Sequence, residues 1–194
     1  KITTSSATDI KATKATISAL TTGLDGIMVE GKTEMHYGFK ISTSEADVQK
    51  GVDYPILTTS NTISTTIEGL VPGMTYYYTS YFKLEDGLVY GETKSFKTTK
   101  QTMEYVDLGL SVLWAKCNIG AEEEQETGAL VGYGDNTGLN RSEYLIDYSP
   151  TGDISGSAND IVTSADIDGD AVMKSTMPTE TQMEELIAGT TQEV

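Results

Sequence analysis

Apolar and polar residues alternate with a period of two in several short segments of the first hundred residues. The clearest alternations cover residues 15–20, 35–41 and 63–67, and an aromatic-rich run covers 76–82. Successive side chains of a β-strand point to opposite faces, so each alternation predicts a strand with one buried face. Thr is abundant in these segments, and its branched Cβ favours a pleated surface.

Glycine-containing turn signals separate the predicted strands, at residues 22–23, 25–26, 30–31, 72–73 and 86–87. Asp86-Gly87 lies between two apolar alternations, which is a strong signal for a β-hairpin. Roughly seven short strands within about 100 residues, without helical periodicity, predict an antiparallel β-sandwich.

The second half of the chain has a different pattern. Residues 105–115 predict a strand, a glycine-containing turn and a second strand. The long stretch 128–177 is rich in Gly, Asp, Asn and Ser, which predicts loops. Residues 179–187 predict the one clear helix, because Thr179 can cap its start and Gly189 can end it. This half is therefore expected to be a loop-rich α+β module.

The distribution of charged residues also differs between the two halves of the chain. Residues 1–99 contain nine basic and eleven acidic residues, whereas residues 100–194 contain four basic and eighteen acidic residues. All three Phe and seven of the eleven Tyr lie in the first part, and Trp114 lies in the second. This break predicts two domains, 1–99 and 103–194.

The first part resembles a known family. Residues 70–76 (LVPGMTY) are similar to the L-x-P-G-x-x-Y segment of fibronectin type III domains, and residues 81–99 resemble the end of such modules in gut-bacterial surface proteins. The resemblance implies a seven-stranded sandwich of the fibronectin III or immunoglobulin-like type. It also implies that Tyr76 forms a tyrosine corner, with its hydroxyl bonded to the backbone of the preceding turn.

The second part resembles another family. Residues 105–121 (YVDLGLSVLWAKCNIGA) are similar to the opening of the Fibrobacter succinogenes major paralogous domain. Tyr133-Gly134-Asp135 stands where that family often has W-G-E, and residues 177–186 resemble its M-P-T helix. The resemblance implies a C-type-lectin-like fold related to formylglycine-generating-enzyme domains. Family members usually continue well beyond this helix, so we expect the module to be incomplete, as a truncated piece or a partial record of a longer chain, or else to be a divergent short form.

Composition excludes several functions. The net charge of −16 and the pI near 4.2 argue against nucleic-acid binding, which needs clustered Lys and Arg. No run of about 18 apolar residues predicts a membrane span. Cys117 is the single cysteine, so an intramolecular disulfide is excluded, and His36 is the single histidine, which excludes zinc sites with two histidines.

One cluster has the residue types of a metal site. Asp166, Asp168 and Asp170 place three carboxylates within five residues, and Gly169 allows a tight turn between them. Such oxygens are the ligands that Ca²⁺ prefers, although the spacing is not that of an EF-hand. Calcium binding would need further oxygens, for example from Asn159 and Asp160. The alternative is a solvated acidic turn.

Together these features predict a non-enzymatic protein, a spacer that carries a module for adhesion through a glycan or through a host or matrix protein. The family resemblance implies export to the cell surface or beyond, with a leader removed from this chain. Two alternatives remain. One is an enzyme-associated module of the formylglycine-generating branch, which relies on reactive or copper-binding cysteines, whereas this chain has Cys117 alone. The other is a structural stalk segment.

Overall fold

The computed structural model describes residues 1–23, 35–58, 60–84, 86–129, 131–139, 152–164 and 175–189. The chain divides into two compact units. The first comprises Lys1–Glu68 and Met74–Thr98, and the second comprises Gly69–Gly73 and Thr99–Val194.

The described residues of the first unit form seven antiparallel strands in two sheets. The strands are β1 (Ile2–Thr4), β2 (Lys14–Thr21), β3 (Met35–Ser42), β4 (Val52–Thr58), β5 (Thr62–Glu68), β6 (Thr75–Leu84) and β7 (Gly87–Lys97). One sheet has the order β1-β2-β5, and the other has the order β4-β3-β6-β7. A short 3₁₀ helix, Val48–Lys50, precedes β4. The predicted antiparallel β-sandwich, resembling a fibronectin type III domain, is thereby confirmed.

The core of the sandwich follows the period-two alternation seen in the sequence. Alternate apolar side chains are buried in three strands: Ala15, Ile17 and Ala19 in β2, Tyr37, Phe39 and Ile41 in β3, and Ile63 and Ile67 in β5. In β6, Tyr76 is buried and so is every residue from Tyr78 to Phe82. Successive side chains of a strand point to opposite faces because the backbone is pleated, so every second residue faces the core.

Tyr76 lies at the start of β6, as the resemblance implies, and is fully buried. Its ring centroid lies 5.6 Å from that of Phe96 in β7. Two residues further along β6, the hydroxyl of Tyr78 donates a hydrogen bond of 2.6 Å to the Ser5 carbonyl. The burial of Tyr76 is confirmed, and the hydrogen bond of its hydroxyl to the preceding turn stays a prediction.

The strands β1 and β4 were not marked by the sequence pattern. β1 has only three residues, too few to show an alternation. β4 contains Pro55, which argues against a central strand because proline lacks an N–H to donate. The structure places β4 at the end of its sheet, where a proline is tolerated. The predicted hairpin is present, since Leu84 pairs with Gly87 where β6 turns into β7.

A buried pair of hydroxyls links β1 to β6. Thr4 Oγ1 lies 2.8 Å from Ser80 Oγ and also accepts a 3.3 Å hydrogen bond from the Ser80 backbone N–H. The pairing of β6 with β7 shifts register at this point, between Thr79 and Tyr81. Gly91 in β7 makes the close approach feasible, because a Cβ there would lie 2.6 Å from Thr4 Oγ1.

Tyr81 lies over the backbone of Gly38, its partner in the β3–β6 register. A Cβ at Gly38 would lie 2.5 Å from Tyr81 Cζ, so only glycine leaves room for the ring. The Tyr81 hydroxyl donates a hydrogen bond of 2.8 Å to Asp53 in β4. The other oxygen of Asp53 forms an ion pair of 3.3 Å with Lys40 in β3. This network ties together three neighbouring strands.

The described residues of the second unit contain little regular structure: a two-stranded antiparallel sheet of β8 (Tyr105–Val106) and β9 (Trp114–Ala115), and two helices, α1 (Ile161–Ser164) and α2 (Glu180–Gly189). The strand pair and α2 lie where the sequence predicts them, and α1 lies in the stretch expected to form loops. The C-type-lectin-like fold of this unit stays a prediction. Among the described residues, no helix has both the length and the apolar character that crossing a bilayer requires.

Candidate functional site

An open cleft of about 360 Å³ lies on the second unit. Its lining consists of Tyr133, Asp153, Ile154, Met177, Pro178, Glu180 and Met183. The volume is at the lower end of the range of about 300–1,000 Å³ that is typical of small-molecule sites. The lining is mainly apolar and includes one tyrosine and two carboxylates, a composition suited to binding an organic ligand.

Asp160 holds two walls of this cleft together. Its side chain is fully buried, and its Oδ2 accepts hydrogen bonds from the backbone N–H of Gly156 at 2.8 Å and of Met177 at 2.9 Å. Its Oδ1 accepts a third, of 2.9 Å, from Val162. Hydrogen bonds to an ionised acceptor are stronger than those between neutral groups. The Met177 wall is therefore bound to the 154–162 segment by a charged acceptor.

A second contact reinforces the same junction. The Ser155 hydroxyl donates a hydrogen bond of 2.6 Å to the carbonyl of Met177 and lies 3.2 Å from Thr176 Oγ1. Both the N–H and the C=O of Met177 are thus bonded to the segment that contributes Asp153 and Ile154 to the lining.

Tyr133 also lines the cleft. Its hydroxyl donates a hydrogen bond of 2.6 Å to the Gly152 carbonyl, and half of its side chain remains exposed. The turn that carries it is held by the buried Asp135, which accepts hydrogen bonds from the backbone N–H of Thr137 at 2.8 Å and from the Thr137 hydroxyl at 2.6 Å. The ring is consequently anchored at its hydroxyl end while about half of the residue stays exposed.

Helix α2 supplies Glu180 and Met183. It begins with a capping box, in which Thr179 Oγ1 accepts a 3.2 Å hydrogen bond from the Gln182 N–H and Gln182 Oε1 accepts a 2.9 Å bond from the Thr179 N–H. Glu180 is in the first turn, where the helix dipole favours negative charge. Elsewhere on the helix, Glu185 accepts a 2.9 Å hydrogen bond from the Ser111 N–H and a second bond from its hydroxyl.

The charged residues in the described lining of the cleft, Asp153 and Glu180, are both acidic. The Asp153 and Glu180 side chains are exposed, and no Lys, Arg or His is among the lining residues that the structure describes. Lys116, one of only two basic residues described in this half of the chain, forms a 3.2 Å ion pair with Glu104, and this hydrogen-bonded partner raises the pKa of Lys116. Its charge is therefore compensated locally.

The residues predicted to bind calcium, Asp166, Asp168 and Asp170, lie outside the described residues. Asp160 was expected to help them, but both of its oxygens are bonded to backbone N–H groups. In the part of the chain that the structure describes, no three His, Cys, Asp or Glu side chains converge as a metal site would need. The calcium site stays a prediction from the sequence.

Sequence reasoning did not identify the cleft. Two of the segments that form it, Tyr133-Gly134-Asp135 and Met177-Pro178-Thr179, were noticed only as parts of a family resemblance. Asp153 and Ile154 had no signal, since they lie in a stretch without periodicity. The cleft is formed by three separate segments joined by hydrogen bonds between residues distant in the sequence. Such bonds produce no local sequence pattern.

No protein-family model matches the sequence, and no curated protein matches it. Solved structures match its first half. One is the sensor domain of the anti-sigma factor RsgI4 in Pseudobacteroides cellulosolvens, with 22% identity over 51% of this chain and 93% of that chain and a TM-score of 0.39. Another is a human fibronectin type III domain from the KIAA0970 protein, with 20% identity over 50% of this chain and 72% of that chain and a TM-score of 0.36.

Proposed function

We propose that this chain is a non-enzymatic binding protein, in which the β-sandwich is a spacer and the cleft of the second unit binds a glycan. The observation that carries the proposal is the accessible ring of Tyr133 beside two exposed carboxylates. An aromatic face packs against the apolar face of a sugar ring, and carboxylate oxygens accept hydrogen bonds from sugar hydroxyls. This combination provides both apolar contact and orientation for a carbohydrate.

Binding without cleavage fits the environment of the carboxylates. A glycoside hydrolase uses two carboxyl groups, and its general acid is characteristically held in an apolar pocket. Asp153 and Glu180 are both exposed instead. An exported, cell-surface location is part of the proposal and rests on the sequence resemblances alone. Adhesion to a glycan-coated surface is the role that these features favour.

The test is a glycan array followed by titration calorimetry of the strongest ligand. Tyr133→Ala should weaken binding by about tenfold or more, which corresponds to about 1.4 kcal/mol or more. Tyr133→Phe keeps the ring and loses the bond to Gly152, so it should retain most of the affinity. Leu113→Ala is the control, because Leu113 is as exposed as Tyr133, 51% against 50%, and lies outside the cleft lining.

Equal affinity of the wild type and Tyr133→Ala would contradict the cleft as the binding site. Release of new reducing ends during prolonged incubation with the bound glycan would contradict the non-enzymatic assignment.

A further inference from the structure

The carboxylates of Asp153 and Glu180 have oxygens without a hydrogen-bond partner among the described residues. Asp153 Oδ1 accepts a 2.9 Å hydrogen bond from the Ser155 N–H, while its Oδ2 has no partner among the described residues. The Glu180 carboxylate likewise has none among the described residues. Both groups border a cavity whose described lining has no positive charge. A ligand that brings hydrogen-bond donors with positive charge would satisfy both of them.

The second half of the chain, like the cleft lining, has a net negative charge. Residues 100–194 have eighteen acidic and four basic residues, and the ion pair of Lys116 with Glu104 uses one of the four. The summed charge of a protein surface attracts ligands of opposite sign and repels those of like sign. Acidic sugars are therefore disfavoured at this cleft, and cationic ligands are favoured.

The apolar walls restrict the ligand further. The exposed Tyr133 ring can bind a cation through its π-face as well as stack on a sugar. Met177 and Met183 add polarizable, adaptable surface to the lining of the cleft. A rigid sugar ring that carries an ammonium group offers an apolar face to Tyr133 and positive charge to the carboxylates of the lining. The flexible stem of a lysine would lose more conformational freedom for the same contacts.

From this arrangement we infer that the ligand is a glycan containing amino sugars with free, non-acetylated amino groups, an inference that rests on the proposed function of the cleft. The ammonium group pairs with Asp153 and Glu180, and the sugar ring packs on Tyr133. N-Acetylation removes the charge and converts the strongest donor into a neutral amide, so it should remove most of the selectivity.

The test is titration of the whole chain with oligomers of equal length made of glucosamine, N-acetylglucosamine or glucose, and with a short lysine peptide. The glucosamine oligomer should bind at least tenfold more tightly than each of the others at low salt. The advantage should shrink towards onefold in ~1 M salt, where the Debye length is about 3 Å.

Two isosteric variants test the carboxylates. Asp153→Asn keeps the oxygen that accepts the Ser155 bond, and Glu180→Gln keeps the side-chain shape. Each should reduce the preference for glucosamine over glucose at least threefold, because it weakens binding of the charged glucosamine oligomer more than binding of the neutral glucose oligomer. Glu184→Gln is the matched control, since Glu184 is exposed on the same helix and outside the cleft lining.

The outcomes separate this inference from the proposed function. Tyr133-dependent binding of a neutral or N-acetylated oligomer, as tight as that of glucosamine, would overturn the inference and keep the glycan-binding function. Tighter binding of the lysine peptide would overturn the choice of a glycan. No binding of any oligomer would overturn both.

Discussion

The backbone N–H of Met177 donates a hydrogen bond of 2.9 Å to Oδ2 of Asp160, a residue that is completely buried. The same oxygen accepts the N–H of Gly156, so one carboxylate joins two segments that line the cleft. A buried charge is costly unless it is bonded, and here three backbone N–H groups compensate it. Asp160 is therefore a structural residue of the binding cleft, although it does not line it.

Asp160→Ala should destabilise the second unit by about 2 kcal/mol or more, because three backbone N–H groups lose their acceptor and a hydrogen bond to a charged group contributes about 1.5–3 kcal/mol. Asp160→Asn keeps one carbonyl oxygen and should lose less. Chemical denaturation gives the stability, and hydrogen exchange at the Met177 amide should accelerate in both variants. Asn159→Ala, at the exposed neighbouring position, is the control. Equal stability of Asp160→Ala and this control would contradict the assigned role.

Gly38→Ala should destabilise the sandwich by about 1–3 kcal/mol, the usual range for overpacking. The added Cβ would lie 2.5 Å from Tyr81 Cζ, and Tyr81 is held in place by its hydrogen bond to Asp53. The double variant Gly38→Ala/Tyr81→Leu should lose less stability than the two single losses combined, since the clash is removed. His36→Ala, exposed on the same strand, is the control. Strictly additive losses would show that the ring does not occupy this space.

Alkaline pH should weaken the sandwich. Burial raises the pKa of Tyr78 to about 12, and burial together with the neighbouring Asp53 raises the pKa of Tyr81 well above its usual value. Both raised values mean that the folded state keeps protons which the unfolded chain loses near pH ~10. The contribution of these two tyrosines to the free energy of unfolding is therefore fully present below pH ~10. It falls as the pH rises from there, by up to about 1.4 kcal/mol per pH unit for each tyrosine.

Denaturant unfolding at a series of pH values measures this fall. Tyr78→Phe removes one of the two retained protons and should make the decline between pH ~10 and ~12 shallower. A wild-type stability that stays constant over this interval would contradict the expectation.

The calcium site predicted from Asp166, Asp168 and Asp170 has a simple test. Three carboxylates within five residues repel one another, and a bound Ca²⁺ would turn that repulsion into attraction. Added Ca²⁺ should raise the melting temperature at fixed ionic strength, and Asp168→Ala should abolish the rise. Identical melting curves with Ca²⁺ and with a chelator would favour the solvated acidic turn.

Local sequence patterns were sufficient wherever a structure depends on neighbouring residues. Period-two alternation located β2, β3 and β5, because burial of one strand face requires it. The aromatic-rich run 76–82 located β6. Asp86-Gly87 located the hairpin of β6 and β7, since Asp and Gly favour the backbone conformations of tight hairpin turns. In the structure Gly87 is the first residue of β7 and has a φ of 140°. Thr179 located the start of α2, where an oxygen side chain caps the free N–H groups.

The sequence by itself thus determined a β-sandwich followed by an acidic, loop-rich half with one capped helix. Only the tertiary structure decided that β4, with Pro55, is an edge strand, that Gly38 makes room for Tyr81, and that Tyr133, Asp153 and Met177 border one cleft. The reason is physical. Alternation and capping are set by contacts between residues close in the chain, whereas the cleft depends on hydrogen bonds such as that of Asp160 to Met177, which join distant segments without any periodic signature.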